Sequence, residues 1–375
     1  MYFKDIIGQE GIKQNLLAMA KSGKISHAQL FNGPEGSGSL PLAIAFARYL
    51  LCENPGDSDS CGQCNACSKV DRYIHPDLHF SFPFFNKSSN SENPSTTSDF
   101  LSEWREVLIG NPYMTYFHWI SSIAKDNKQG NITAKECREI IRKLYYKSFE
   151  GGARVLIIWM AEKLGKEGNI LLKLIEEPPA NTFIFLVSED MEAILNTIRS
   201  RTLLHRVPPI GFDAIKEKLI RKGEDEMKAT ELARLADGNY SLVLSQTESD
   251  LDKYLSVSDE WLSNILKQDT AACFKLVQEF HKLNREEQKL FIKYMLRKLE
   301  FAMRDLILKG GAAGPAHSLA EQLLANENFD EMVREFDKAY FYISRNAFGK
   351  LTYFNLSLRI MALMRQQAAV GPQSI

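Results

Sequence analysis

No run of apolar residues in this 375-residue chain approaches the roughly 18 that a membrane span needs, so no membrane-spanning helix is expected. The opening Met1-Tyr2-Phe3-Lys4-Asp5 has no basic stretch leading into an apolar run, so no secretory signal is expected. The expected compartment is the cytoplasm, where thiols stay reduced. Neither sign of charge is in excess: 46 Lys and Arg against 47 Asp and Glu leave a net charge of −1. Whole-chain electrostatics therefore supply no pull toward nucleic acid, and any such contact has to be local or shared with partners. Hydrophobic residues at 45% and charged residues at 25% rule out a wholly disordered or fibrous chain. The length predicts two or three domains.

Catalytic groups are missing as well. Gln29-Leu30-Phe31 reads as a strand running into the turn Gly33-Pro34-Glu35-Gly36-Ser37-Gly38. Pro41 to Leu51 then reads as a helix, with Pro41 tolerated in its first turn. Strand, glycine turn and helix are the layout of a phosphate-binding loop, in which backbone N–H groups cradle an anion. Gly33 and Gly38 have the required separation, but Ser39 stands in the lysine position and Leu40 in that of the magnesium-binding hydroxyl. The apolar strand Val155 to Ile158 ends in Trp159-Met160 instead of the acidic residues that hold magnesium. No ATP hydrolysis is expected. Gly33, Gly36 and Gly38 remain the candidate nucleotide-facing residues, because backbone amides survive these substitutions. Binding without turnover, and a plain tight corner, both stay open.

Cys52, Cys61, Cys64 and Cys67 follow the pattern C-x8-C-x2-C-x2-C. Overlapping CxxC units beside a fourth cysteine can set four thiolates around one tetrahedral ion, and four cysteines leave no open position for water. A structural zinc is expected, in a knuckle over 52–67. A disulfide pair or a redox CxxC fits the inferred compartment poorly. Cys137 and Cys273 fall on apolar helical faces and read as core residues.

Along the chain, 1–82 and 131–207 alternate strand and helix signals, which predicts a parallel sheet with helices on both faces. Gly11 to Ala20, a helix capped by Thr133, Asn169 to Glu177 before Pro178-Pro179, and Ile194 to Ile198 read as helices. Val155 to Ile158, Thr182 to Val187 and Arg201 to Val207 read as strands. Residues 83–130 read as an insertion that sits on the surface. Its stretch Asn86 to Ser98 reads as a mobile polar loop, followed by helical spacing through Phe100, Trp104, Val107 and Leu108. From Pro208 the strand signal disappears. Helical faces carry Cys273, Leu276, Val277 and Phe280; Phe291, Met295, Leu299, Ala302 and Leu306; and Met332, Phe336 and Ile343. A last helix carries Leu351, Phe354, Leu358 and Met361, and the tail Gln366 to Ile375 reads as frayed.

Several segments together resemble a family. Ile6-Ile7-Gly8-Gln9, Ser26-His27-Ala28, Leu30 to Pro34, His75-Pro76-Asp77, Leu171 to Pro179, Ile198-Arg199-Ser200-Arg201 and the four-cysteine knuckle resemble bacterial clamp-loader subunits of DNA polymerase III. The resemblance is specific over 1–82 and 131–207 and weaker beyond. It implies an AAA+ P-loop-like α/β domain over 1–207, a small helical lid over 208–248 and an all-α collar over 249–375. ATPase members carry a sensor arginine where this chain has Gly238-Asn239-Tyr240-Ser241, with Ser241 in the arginine position. That third loss agrees with the first two and resembles the non-hydrolysing member. The family's arginine finger lies in a Ser-Arg-Cys motif. Here Ser200-Arg201-Thr202 keeps the arginine and loses the cysteine, and the resemblance implies that Arg201 acts in trans on a neighbour's γ-phosphate. Read alone, two arginines near a helix end more often face solvent.

The resemblance further implies gamma/tau-like ATPase subunits and a delta subunit as partners, with a sliding clamp and primer–template DNA reached through the complex. Two rivals make distinct predictions. An active ATPase with relocated catalytic groups would turn over ATP alone. A zinc-dependent DNA-binding module would bind DNA tightly and salt-dependently by itself.

Overall fold

The computed structural model describes residues 1–86, 95–124, 130–146, 152–244, 248–280, 288–289, 291–296, 298–300, 303, 328–345 and 347–369. The chain divides into two compact units, Met1–Ser245 and Gln246–Ile375.

The first unit is built on five strands: β1 Ala28–Asn32, β2 Leu78–Ser81, β3 Arg154–Trp159, β4 Thr182–Ser188 and β5 Leu203–Arg206. All neighbours pair in parallel in the order β2-β3-β4-β1-β5. Parallel pairing requires a crossover between strands, and each crossover lays helix on a sheet face. Period-2 alternation then divides the apolar side chains between two cores. Phe31, Ile157 and Phe185 join one core with the helix Ser39–Leu51. Leu30, Leu156, Ile158 and Ile184 join the other, with the helix Ala134–Tyr145 and residues 161–175. Every position of β3 is buried, which explains its unbroken apolar run.

Strand β2 was not foreseen: Leu-His-Phe-Ser is too short and too mixed to signal a strand, and its partner β3 lies more than 70 positions onward. The helix expected over Asn169 to Glu177 is instead a 3-10 stretch, Ala161–Leu171, running into a short α-helix, Leu172–Glu176. Gly165 breaks that stretch with φ 49° and ψ −141°. Thr133 does cap its helix, accepting from the N–H of Glu136 at 3.3 Å.

The surface position expected for the 83–130 insertion is corrected. Helices Leu101–Gly110 and Tyr116–Ile123 send Trp104 and Trp119, both 0% exposed, into the core beneath β2 and β3. Trp104 stacks on Phe82 at 4.1 Å and meets Trp119 at 5.0 Å and Trp159 at 5.2 Å. Aromatic surface at helical spacing is driven out of water whatever the polarity of the loop before it. Residues 87–94 of the expected mobile loop lie outside the described residues.

Helices Phe212–Arg221, Glu226–Ala236 and Tyr240–Leu244 complete the first unit. In the second unit, helices Glu248–Leu266, Thr270–Phe280, Phe329–Ser344 and Gly349–Ala369 enclose a core that includes Trp261, Phe291, Phe336 and Tyr353. Cys273 is buried in it, as expected. Ala302, Leu306 and residues 370–375 of the expected tail lie outside the described residues. Among the described residues no helix is long and apolar enough to cross a membrane.

Candidate functional site

The turn after β1 is shaped by close approach. A Cβ on Gly36, which has φ +70°, would lie 1.8 Å from Asn239 Oδ1, so only glycine fits. The turn is clasped to later chain: Asn239 Nδ2 donates to Glu35 Oε1 at 3.0 Å and the N–H of Tyr240 to the Gly36 carbonyl at 3.2 Å. Gln9 Nε2 donates to the carbonyls of Ser37, at 3.0 Å, and Pro208, at 2.7 Å. The helix begins at Ser39, whose Oγ lies 3.2 Å from Ser37 Oγ. Leu40, in the hydroxyl's place, is buried in the core. At the end of β3, Trp159 and Met160 are also buried, and Met160 adopts φ 55°.

The space these residues leave is a cavity of about 20 Å³, bounded among others by Gly33, Gly36, Gly38, Leu40, Tyr113 and Trp159. A void of that size holds about one water molecule. Tyr113 was missed by sequence reasoning, because a tyrosine in a loop between two helices belongs to no motif. Glu162 was missed too. This carboxyl accepts from the N–H of Glu189 at 3.3 Å, burial raises its pKa, and it does not line the cavity.

The four knuckle cysteines converge. Their Sγ atoms all lie within 4.8 Å of one another, with Cys61 and Cys67 at 4.0 Å, and all four are free thiols. A tetrahedral zinc with Zn–S bonds near 2.3 Å sets sulfurs about 3.8 Å apart, so the cluster can take such an ion with small adjustments. Local backbone prepares the sulfurs. Cys61 Sγ accepts the N–H groups of Gln63 at 3.5 Å and Cys64 at 3.4 Å, Cys64 Sγ that of Cys67 at 3.4 Å, and Cys52 Sγ that of Cys61 at 3.3 Å. The bonds from Gln63 and Cys64 lower the Cys61 thiol to about 6, while burial pushes Cys67 up to about 12. An ion's charge would favour the thiolate at both.

The knuckle is tied to the domain through Arg48, whose side chain is fully buried. Its guanidinium pairs with Asp71, donates to Ser60 Oγ at 2.8 Å and lies 3.7 Å from the centre of the Tyr2 ring.

Arg201 stands apart from both places. It follows the helix Asn196–Arg199 and precedes β5, near the amino-terminal end of that strand. The glycine turn follows the carboxyl end of the parallel neighbour β1, so the two lie toward opposite ends of the sheet. The guanidinium pairs with Glu176 and donates to the Thr197 carbonyl at 2.9 Å, and its side chain is 37% exposed. The strand expected from Arg201 begins at Leu203.

Against known proteins, a family model described as DNA polymerase III, delta subunit, matches residues 8–211. DNA polymerase III subunit delta-prime of Escherichia coli K12 is 28% identical over 197 residues, covering 52% of this chain and 46% of that protein. The Pseudomonas aeruginosa subunit of the same name is 27% identical over 202 residues, 54% of this chain and 49% of that one. The gamma subunit of Buchnera aphidicola is 26% identical over 254 residues, 66% and 58% of the two chains. The matches thus span about half the length of these relatives. A gamma subunit-related protein of Thermotoga maritima aligns over 94% of this chain and 98% of its own, at 16% identity and a TM-score of 0.43, too distant to bear on the fold.

Proposed function

The chain belongs to the family described as DNA polymerase III, delta subunit, and on that premise we propose that it is the non-hydrolysing, delta-prime-like subunit of a clamp loader. It holds one end of a five-membered arc beside gamma/tau-like ATPase subunits and a delta subunit. The assembly opens a sliding clamp and sets it on primer–template DNA. In this reading residues 1–207 are an AAA+ module with a structural zinc on Cys52, Cys61, Cys64 and Cys67, 208–248 its lid and 249–375 its collar.

The observation that carries the proposal is the state of the glycine turn. Leucine, tryptophan and methionine stand where ATP chemistry needs a hydroxyl and carboxylates, and they are buried rather than turned toward solvent. A chain with an inert centre and a family of motor subunits around it acts on its neighbours. Arg201 is the group we assign to that task, in trans on an adjoining ATP. Its partner Glu176 is itself 45% exposed, and such exposed pairs contribute about 0–1 kcal/mol. A neighbour's γ-phosphate, with more charge and several acceptor oxygens, can draw the guanidinium away.

The test reconstitutes the chain with the ATPase and delta subunits and compares the wild type with Arg201→Ala in DNA-stimulated ATP turnover. Assembly should persist while turnover at the adjoining site falls roughly 10- to 1000-fold. Unchanged turnover removes Arg201 from the role.

A further inference from the structure

We propose that Tyr113, carried by the segment between β2 and β3, is a built-in plug that closes the nucleotide pocket at the glycine turn. Nucleotide is then excluded by volume, separately from the loss of the lysine. The inference goes beyond the clamp-loader reading and does not depend on it.

Three stretches of chain meet on the Tyr113 ring. Its oxygen accepts the N–H of Ile7 at 3.0 Å. Its edge lies over the glycine turn, where a Cβ on Gly38 would stand 3.3 Å from Tyr113 Cε1. It forms a T-shaped pair with Tyr240 at 5.2 Å between ring centres. The residue is only 6% exposed, and its neighbour Met114 is 4% exposed. What remains between these side chains and the turn is the cavity of about 20 Å³. Pockets that take cofactor-sized ligands run to roughly 300–1,000 Å³, so a nucleotide enters only if the ring leaves.

The plug is fixed from both sides. Asn111 Oδ1 accepts the N–H of Tyr113 at 2.9 Å, and the Thr115 hydroxyl caps the next helix by accepting from His118 at 3.1 Å. The helices before and after are anchored in the core by Trp104 and Trp119. Swinging Tyr113 out therefore strains a loop whose two ends are held by the largest buried side chains in this unit. It also leaves the Ile7 N–H without its acceptor.

Exclusion by charge and exclusion by volume come apart when the charge is restored. Magnesium and a fluorescent ADP analogue are titrated into the purified full-length chain in four forms: wild type, Ser39→Lys, Ser39→Lys/Tyr113→Phe and Ser39→Lys/Tyr113→Ala. Ser39→Lys and Ser39→Lys/Tyr113→Phe should bind no better than wild type, because a ring still fills the pocket. Ser39→Lys/Tyr113→Ala should bind at least 10-fold more tightly. If that form does not fold, judged by circular dichroism and the melting temperature, Ser39→Lys/Tyr113→Val takes its place with the same expectation. Two results overturn the proposal: Ser39→Lys alone binding as tightly as the truncated form, or a folded truncated form binding no more tightly than Ser39→Lys.

Discussion

Replacing Trp104 and Trp119 one at a time tests how the inserted helices are built into the core. Both side chains are 0% exposed, yet their indole N–H groups differ. Trp119 Nε1 donates to the Pro83 carbonyl at 2.6 Å, whereas Trp104 Nε1 is buried with no hydrogen-bond partner among the described residues. Truncating Trp104 to alanine removes a ring stacked on Phe82 and bounded by Trp119 and Trp159. Deletions of that kind cost about 3–5 kcal/mol, transfer and cavity together. That is a large part of the 5–15 kcal/mol typical of a domain. Trp104→Phe keeps most of the apolar surface and deletes an unpaired donor whose desolvation costs about 1–3 kcal/mol, so the two changes offset. Trp119→Phe breaks a hydrogen bond and leaves the Pro83 carbonyl unpaired, with no such compensation. The expected order of destabilisation is Trp104→Ala largest, Trp119→Phe intermediate and Trp104→Phe smallest, with about 1–2 kcal/mol between the two phenylalanine variants. Urea unfolding followed by far-UV circular dichroism measures it. Trp104→Ala within about 1 kcal/mol of wild type would refute the burial of the inserted helices. Equal costs for the two phenylalanine variants would refute the argument from the unpaired donor.

The other expectations are independent of that one. Metal analysis after gentle purification should find about one zinc per chain, and Cys64→Ser should abolish most of it and lower the melting temperature; a metal-free wild type with an unchanged melting temperature rejects the knuckle as a zinc site. Burial pushes His79 and His205 down to about 4 from 6.5, so the unfolded chain binds more protons between those values. These two histidines should therefore cost stability as pH drops from 6.5 toward 4, by at most about 3 kcal/mol each, with Glu162, raised by burial, working in the opposite sense. A urea midpoint that does not move between pH 7 and 4.5 counts against this. Thr133→Ala should cost about 1 kcal/mol through loss of the helix cap, and a thermal shift indistinguishable from zero would remove that contribution. Gly62→Ala should destabilise the knuckle, since φ is +75° there and a Cβ would lie 2.6 Å from the Tyr2 hydroxyl; a gain in stability would contradict that geometry.

Much of this was legible in the chain itself, for identifiable reasons. Strands β3 and β4 are buried on both faces, so their continuous runs from Val155 and Thr182 announced them without tertiary context. The cysteines were legible because metal ligation constrains spacing tightly, and the structure brings the four sulfurs together. Strand β2 was hidden because four residues acquire strand character only through pairing with β3. The inserted segment misled in a different way. Its polar beginning dominated the reading, although Trp104 and Trp119 decide where the helices go. Tyr113 and the Glu176 partner of Arg201 were beyond reach, since each acts through a contact with distant chain that no local pattern encodes.

The clasp between residues 35–37 and 208–240 has a mechanical meaning. Gln9, Glu35 and the Gly36 carbonyl are engaged by Pro208, Asn239 and Tyr240, all of which lie beyond the exit from β5. A hinge needs one span free of cross-links, and here the span just after Val207 is bridged at several points. By that reasoning helices Phe212–Arg221 and Tyr240–Leu244 should move with the sheet as one body rather than swing against it.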